Sequence, residues 1–139
     1  MSFHKSPLAE QVIGAAIEVH RQLGPGLLES VYESCLAMEF DLRAVQYKRQ
    51  VAIPLRYKGR YVSCQFRVDF VVQNSLLVEL KSVEQVLPVH KAQAITYVKL
   101  LHLDQGLLFN FNVVRLVDGI TSVLGDRLID NWRYESDLT

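Results

Sequence analysis

A mixed α/β sheet with helices packed against it is the fold class this sequence predicts, on three observations. Apolar residues recur at helical spacing near the start, at Leu8, Val12, Ile13, Ala16, Ile17 and Leu23. Two strand-like stretches, Tyr61–Val72 and Leu76–Val83, flank Gln73-Asn74-Ser75 as a hairpin. A further helical segment then precedes the short apolar strand Gly106–Phe111, so the order is helix, helix, three strands, helix, strand.

Each element has a local cause. Ser6-Pro7 opens the first helix, Pro7–Leu23, with a capping hydroxyl and a proline at the first helical position. Gly24-Pro25-Gly26 stops it, and Gly26 serves the turn before the next helix. The second helix runs from about Leu27 to Arg43, with Val31, Tyr32, Cys35, Leu36 and Leu42 on or near one stripe. Val51, Ile53 and Leu55 alternate with polar or small neighbours, Pro54 marks an edge or a bulge, and Lys58-Gly59 reads as a turn. Pro88 opens a third helix to about Leu103. Val113–Leu124 fits strand and helix equally poorly, and Asp126–Thr139 suggests a short helix docking Trp132 or Leu128.

At 139 residues, with 50% hydrophobic and 22% charged side chains, one globular domain over 1–139 is expected, with a core at about 12–112 and an extension at 113–139. No apolar run approaches the roughly 18 residues of a membrane span, and the first residues have no signal-peptide pattern. Cys35 and Cys64 are too few for a disulfide framework and read as buried apolar residues in a reduced, cytoplasmic protein.

The net charge is zero, which at face value argues against a bulk electrostatic nucleic-acid binder. The zero hides segregation. Residues 1–42 hold six acids and two bases. Residues 43–67 hold seven bases, Arg43, Lys48, Arg49, Arg56, Lys58, Arg60 and Arg67, and no acid. Tyr47, Tyr57 and Tyr61 are interleaved with them, a pattern that can follow phosphates and stack on bases. Taken by itself, the stretch reads first as a solvated edge hairpin that uses Lys and Arg to block aggregation.

The hairpin carries the chemistry. With a three-residue loop Val72 pairs with Leu76, and Asp69 lies opposite Glu79. One face then holds Phe66, Val68, Phe70, Val72, Leu76, Val78 and Leu80, all apolar. The other holds Arg67, Asp69, Val71, Leu77, Glu79 and Lys81. Opposed carboxylates repel, and a divalent cation with hard oxygen ligands would offset that. Lys81, two residues on from Glu79, would activate water or stabilise phosphoryl charge. A plain salt-bridged solvent face, with Lys81 paired to either acid, is the alternative.

These residues resemble the D…(D/E)xK signature of the PD-(D/E)XK nuclease superfamily, as Asp69 followed by Glu79-Leu80-Lys81. Gly26-Leu27-Leu28-Glu29-Ser30-Val31-Tyr32 resembles the motif of the GxxExxY family, and Gln93-Ala94-Ile95-Thr96-Tyr97 resembles the QxxxY motif of RecB-like nucleases. The resemblance implies an α-β-β-β-α-β restriction-endonuclease-like core, here with an extra N-terminal helix, and Mg²⁺- or Mn²⁺-dependent phosphodiester hydrolysis. It implies Asp69, Glu79 and the Leu80 carbonyl as metal ligands, Lys81 as catalytic lysine, Glu29 approaching the metal, and Gln93 and Tyr97 lining the site. Val68 stands where the superfamily name has Pro, and no metal role is carried onto His20.

Simpler roles are open for several of these. Glu29 in a first helical turn favours the macrodipole. Tyr32 and Tyr97 suit packing, whereas a core-facing Gln93 would favour a polar cleft. His90 reads as exposed, and His102 suits a helix C-terminus. Three functions follow: a metal-dependent nuclease gripping DNA (or RNA) through Lys48, Arg49, Arg56, Lys58, Arg60 and Arg67; a catalytically silent nucleic-acid-binding or regulatory protein; and a scaffold. A homodimer is expected by analogy only.

Overall fold

The computed structural model describes residues 6–63, 66–124 and 127–130, the last four through their backbone. Ser6 caps helix α1 (Pro7–Leu23): its hydroxyl accepts the Ala9 N–H at 3.1 Å, and Pro7 sits where no N–H is needed. Helix α2 (Glu29–Leu42) packs beside it and buries Tyr32, Leu36, Ala37 and Phe40. Then follow β1 (Tyr47–Ala52), β2 (Arg56–Tyr57), β3 (Arg60–Tyr61), β4 (Arg67–Val72), β5 (Leu76–Lys81), α3 (Pro88–Leu100), β6 (Gln105–Asn110), β7 (Ile120–Leu124) and β8 (Arg127–Asp130).

Six strands form one sheet in the order β1-β4-β5-β6-β7-β8, while β2 and β3 pair on their own. Only β5 and β6 run parallel, joined by α3, so the sheet is mixed. Helices α1 and α2 cover one face, where Tyr32, Leu36 and Phe40 meet Phe70, Val72, Val78, Leu80 and Phe109. Helix α3 covers the other, setting Ala94 and Val98 on Val71, Leu77 and Val123. Every residue of β6 is buried, as expected of a strand covered on both sides. Gly106 lets α3 approach: a Cβ there would lie 2.8 Å from Val98 Cγ2.

The expected α/β order holds, as α2-β1-β4-β5-α3-β6 after α1. The three-residue loop also holds, because Val72 pairs with Leu76. Pro54 lies just past β1, the edge strand. Four expectations change. Tyr61–Val72 is not one strand, since β3 ends at Tyr61 and β4 begins at Arg67. Helix α3 stops at Leu100, before a left-handed His102 at φ +55°. Val113–Leu124 becomes a 3₁₀ turn at Leu116–Gly119 and then β7. The expected C-terminal helix is replaced over Arg127–Asp130 by β8, because a ladder on the β7 edge satisfies more backbone groups than a short terminal helix. Cys64 and Trp132 lie outside the described residues. No described helix is long and apolar enough to cross a membrane.

Candidate active site

Backbone pairing fails on both sides of Asp69. The β1–β4 ladder pairs Arg49 with Phe70 and Val51 with Val68, but skips Gln50 and Asp69. The β4–β5 ladder ends at Phe70 and Val78, one residue short of Asp69 and Glu79. Side chains take over there. The Glu79 carboxylate accepts the Asp69 N–H at 2.8 Å, and the Asp69 carboxylate accepts the Leu80 N–H at 2.8 Å. Gln50 adopts φ +51°, an uncommon backbone inside a strand. Its amide donates to Glu33 at 2.9 Å and reaches Asp69 at 3.4 Å. Arg67 donates to the Gln50 carbonyl at 3.1 Å.

The pleat turns over at this row. Phe70 and Val72 lie in the α1–α2 core, but Val68 lies in the α3 core with Val51 and Ile53. Phe66 is half exposed and rests near Tyr97, ring centroids 6.4 Å apart. The expected single apolar face, Phe66 through Val72, is therefore divided at Asp69. Residues two apart share a face only while the ladder holds, and here it does not.

Asp69 and Glu79 are both half-buried. Burial pushes the Asp69 carboxyl up to about 6, helped by the Glu33 and Glu29 charges and opposed by the Leu80 N–H. Burial, then the Asp69 charge, pushes Glu79 up to about 8, against the Asp69 N–H and Lys81. Lys81 follows Glu79 by two residues on β5, so the two share a strand face. Its ammonium makes no ion pair among the described residues, which removes the salt-bridged alternative.

Helix α2 brings two more carboxylates. Glu29 is exposed at its first turn, and its charge raises both Asp69 and Glu79. Glu33, one turn on, pairs with Arg49 at 2.9 Å, accepts from Gln50, and acts on Asp69 more strongly than Glu29 does. Sequence reasoning missed Glu33 and Gln50. The four-residue spacing from Glu29 could have found Glu33. Gln50 carries no such signal, because its role arises from a backbone break.

Tyr32 fixes the start of α2. It is fully buried and stacks on Phe111, with centroids 4.4 Å apart. Its hydroxyl donates to the Gly24 carbonyl at 2.6 Å and accepts the Leu27 N–H at 3.2 Å. Gly26 turns the chain between them at φ +95°. Ser82, just past Lys81, donates to the Leu27 carbonyl at 2.6 Å. Gly26, Glu29 and Tyr32 thus work as one device that sets Glu29 near the carboxylate row.

The other candidates scatter. The Leu80 side chain is buried in the core. Tyr97 packs in the α3 core, and Gln93 is exposed rather than core-facing, because Ala94 and Val98 take the packed face of α3. Cys35 is half-buried, not buried. His90 is half-buried and accepts the Leu87 N–H at 3.1 Å, closing the start of α3. Arg49 and Arg67 are engaged beside the carboxylates, while Arg56, Lys58 and Arg60 are exposed on β2–β3. Lys48 lines a groove of about 770 Å³ at the β4–β5 turn, away from Asp69 and Glu79.

Asp69 and Glu79 form a half-buried, hard, oxygen-only donor pair, which suits Mg²⁺ or Mn²⁺ rather than a nitrogen- or sulfur-seeking ion. Among the described residues no group of three or more His, Cys, Asp and Glu is gathered as a metal cage. Residues 6–123 match the family model of the PD-(D/E)XK nuclease superfamily. No curated protein and no solved structure gave a match.

Proposed function

The chain belongs to the PD-(D/E)XK nuclease superfamily, and from that premise we propose that it hydrolyses phosphodiester bonds in nucleic acid, DNA first, with Mg²⁺ or Mn²⁺. The observation that carries this reading is the Asp69–Glu79 row, where two half-buried carboxylates hold one another through opposite-strand N–H groups and neither makes an ion pair among the described residues. Asp69, Glu79 and the Leu80 carbonyl would hold the ion, with Glu29 beside them and waters or phosphate oxygens completing its shell. When bound, a divalent cation supplies positive charge against the phosphodiester and acidifies water.

The chain's own residues do the rest. Lys81, whose ammonium makes no ion pair among the described residues, would meet the charge gathering on the phosphate oxygens. Glu33 and Gln50 position Asp69. Gln93 and Tyr97 would line the substrate path on α3, and the basic residues from Lys48 to Arg67 would draw in the phosphate backbone. The joint action of Gly26, Glu29 and Tyr32 supports a GxxExxY, RecB-like branch within the superfamily, and a cytoplasmic site of action suits such a substrate.

The test is incubation with single-stranded DNA, duplex DNA and RNA, in Mg²⁺, in Mn²⁺ and in EDTA, beside Asp69→Ala and Lys81→Ala. Metal-dependent cleavage lost in both variants is the expected result. Binding without cleavage would make the protein a silent nucleic-acid-binding one. Light scattering of the same samples reads the expected homodimer.

A further inference from the structure

Beyond the carboxylate row, the chain carries an arm. Strands β2 and β3 form a hairpin outside the six-stranded sheet. Its Lys58-Gly59 turn, at φ +49° and +80°, has the two-residue geometry that suits strand twist. A bond from the Val62 N–H to the Leu55 carbonyl at 2.9 Å extends it. Arg56 pairs with Tyr61 and Tyr57 with Arg60, so each face carries one tyrosine and one arginine.

The rings do not fill a core. Tyr57 is 65% exposed and Tyr61 73%. A hairpin that buries neither face contributes little to folding. Cations rest on both rings: Arg56 Cζ lies 4.7 Å from the Tyr61 centroid and Lys58 Nζ 5.4 Å from that of Tyr57. No acid occurs anywhere in 43–67 to neutralise them. The arm leaves the sheet at the end nearest the carboxylates. Ile53 bonds to Phe66 at 3.1 Å at its base, Ala52 pairs with Arg67, and Asp69 is two residues further along β4.

We propose that this arm grips single-stranded nucleic acid beside the Asp69–Glu79 row, with Tyr57 and Tyr61 stacking on unpaired bases and Arg56, Lys58 and Arg60 holding phosphates. The proposal rests on the nuclease reading and deepens it by naming the strandedness of the substrate. A duplex offers the arm only its backbone and leaves both exposed rings idle, whereas an unpaired strand engages rings and cations together. A cation on one ring face leaves the opposite face for a base.

The test uses the full chain in EDTA, which holds turnover off, and reads fluorescence anisotropy. The probes are labelled oligodeoxyuridylate, labelled oligouridylate and a labelled duplex of equal length. Both single strands are expected to bind more tightly than the duplex. Tyr57→Ala and Tyr61→Ala should each weaken single-strand binding by about tenfold, while Tyr57→Phe and Tyr61→Phe retain it. Replacing Arg56, Lys58 and Arg60 together with Gln should lower the slope of log affinity against log salt by about 2. Preference between the two single strands assigns the sugar and counts for the proposal either way. Equal or tighter duplex binding, unchanged binding by the Tyr→Ala variants, or no binding at all would overturn it. The nuclease reading fails separately, through absent metal-dependent cleavage, which anisotropy in EDTA does not measure.

Discussion

Asp69 and Glu79 govern how the chain responds to pH. Their folded values, about 6 and about 8, lie above the ordinary 3.8 and 4.5. The folded chain therefore holds more protons than the unfolded one between about pH 4 and 8, and stability falls as pH rises through that window. Metal-free protein should melt lower at about pH 8 than at about pH 5, by circular dichroism in EDTA. Glu79→Gln should raise the melting temperature by several degrees at the higher pH, and Asp69→Ala should fold at least as stably as the parent without metal. A large drop in melting temperature for either variant in EDTA would contradict this. Lys81 behaves oppositely: with no ion pair among the described residues, Lys81→Ala should change stability by under about 0.5 kcal/mol yet lower kcat by about 10²–10³ in a steady-state cleavage assay. The acids and the lysine were legible because strand alternation and D…ExK spacing are local. Gln50 was not, because nothing in the sequence marks a glutamine that leaves its ladder.

Helix α2 reaches the site through its anchor rather than through its cap. Leu28 offers no capping side chain, so Tyr32 holds the entry by its hydroxyl. Tyr32→Phe keeps the stack on Phe111 and loses both hydrogen bonds. It should cost about 1–3 kcal/mol in a denaturant titration and lower cleavage by shifting Glu29, although it touches no substrate. Where α3 crosses β6, Gly106→Ala would push a methyl against Val98 and should cost about 1–3 kcal/mol, with cleavage retained at temperatures where the variant is folded. Elements with their own punctuation were readable: Ser6-Pro7 began α1, Pro88 began α3, and Lys58-Gly59 turned the arm. Elements set by a neighbour were not. β7 and β8 exist because β6 and then β7 offer an edge, and an edge is a tertiary fact.

For the molecule as a whole, zero net charge conceals a directional field. Helix α2 sets the acids Glu29 and Glu33 beside the carboxylates, and the basic stretch from 43 to 67 supplies β1 and the arm. Raising salt from about 50 to about 200 mM should therefore raise KM for a nucleic-acid substrate about tenfold or more, in initial-rate measurements. The layer order was legible because the α1 period is strong and cap and turn residues punctuate the elements that follow, but the division of the sheet face at Asp69 was hidden by uninterrupted alternation in its letters. That division has an evolutionary meaning. Phe70 is part of the core, and its replacement removes stability and function together. Next to it, burial and the Asp69 charge make Glu79 costly to ionise, and Gln50 holds a strained backbone. A library of random substitutions selected only for folded, protease-resistant protein in EDTA should be enriched at positions 50, 69 and 79 while remaining depleted at 70. Under such selection the molecule without its carboxylate row is the fitter one, so on the nuclease reading the row persists only where turnover itself is selected.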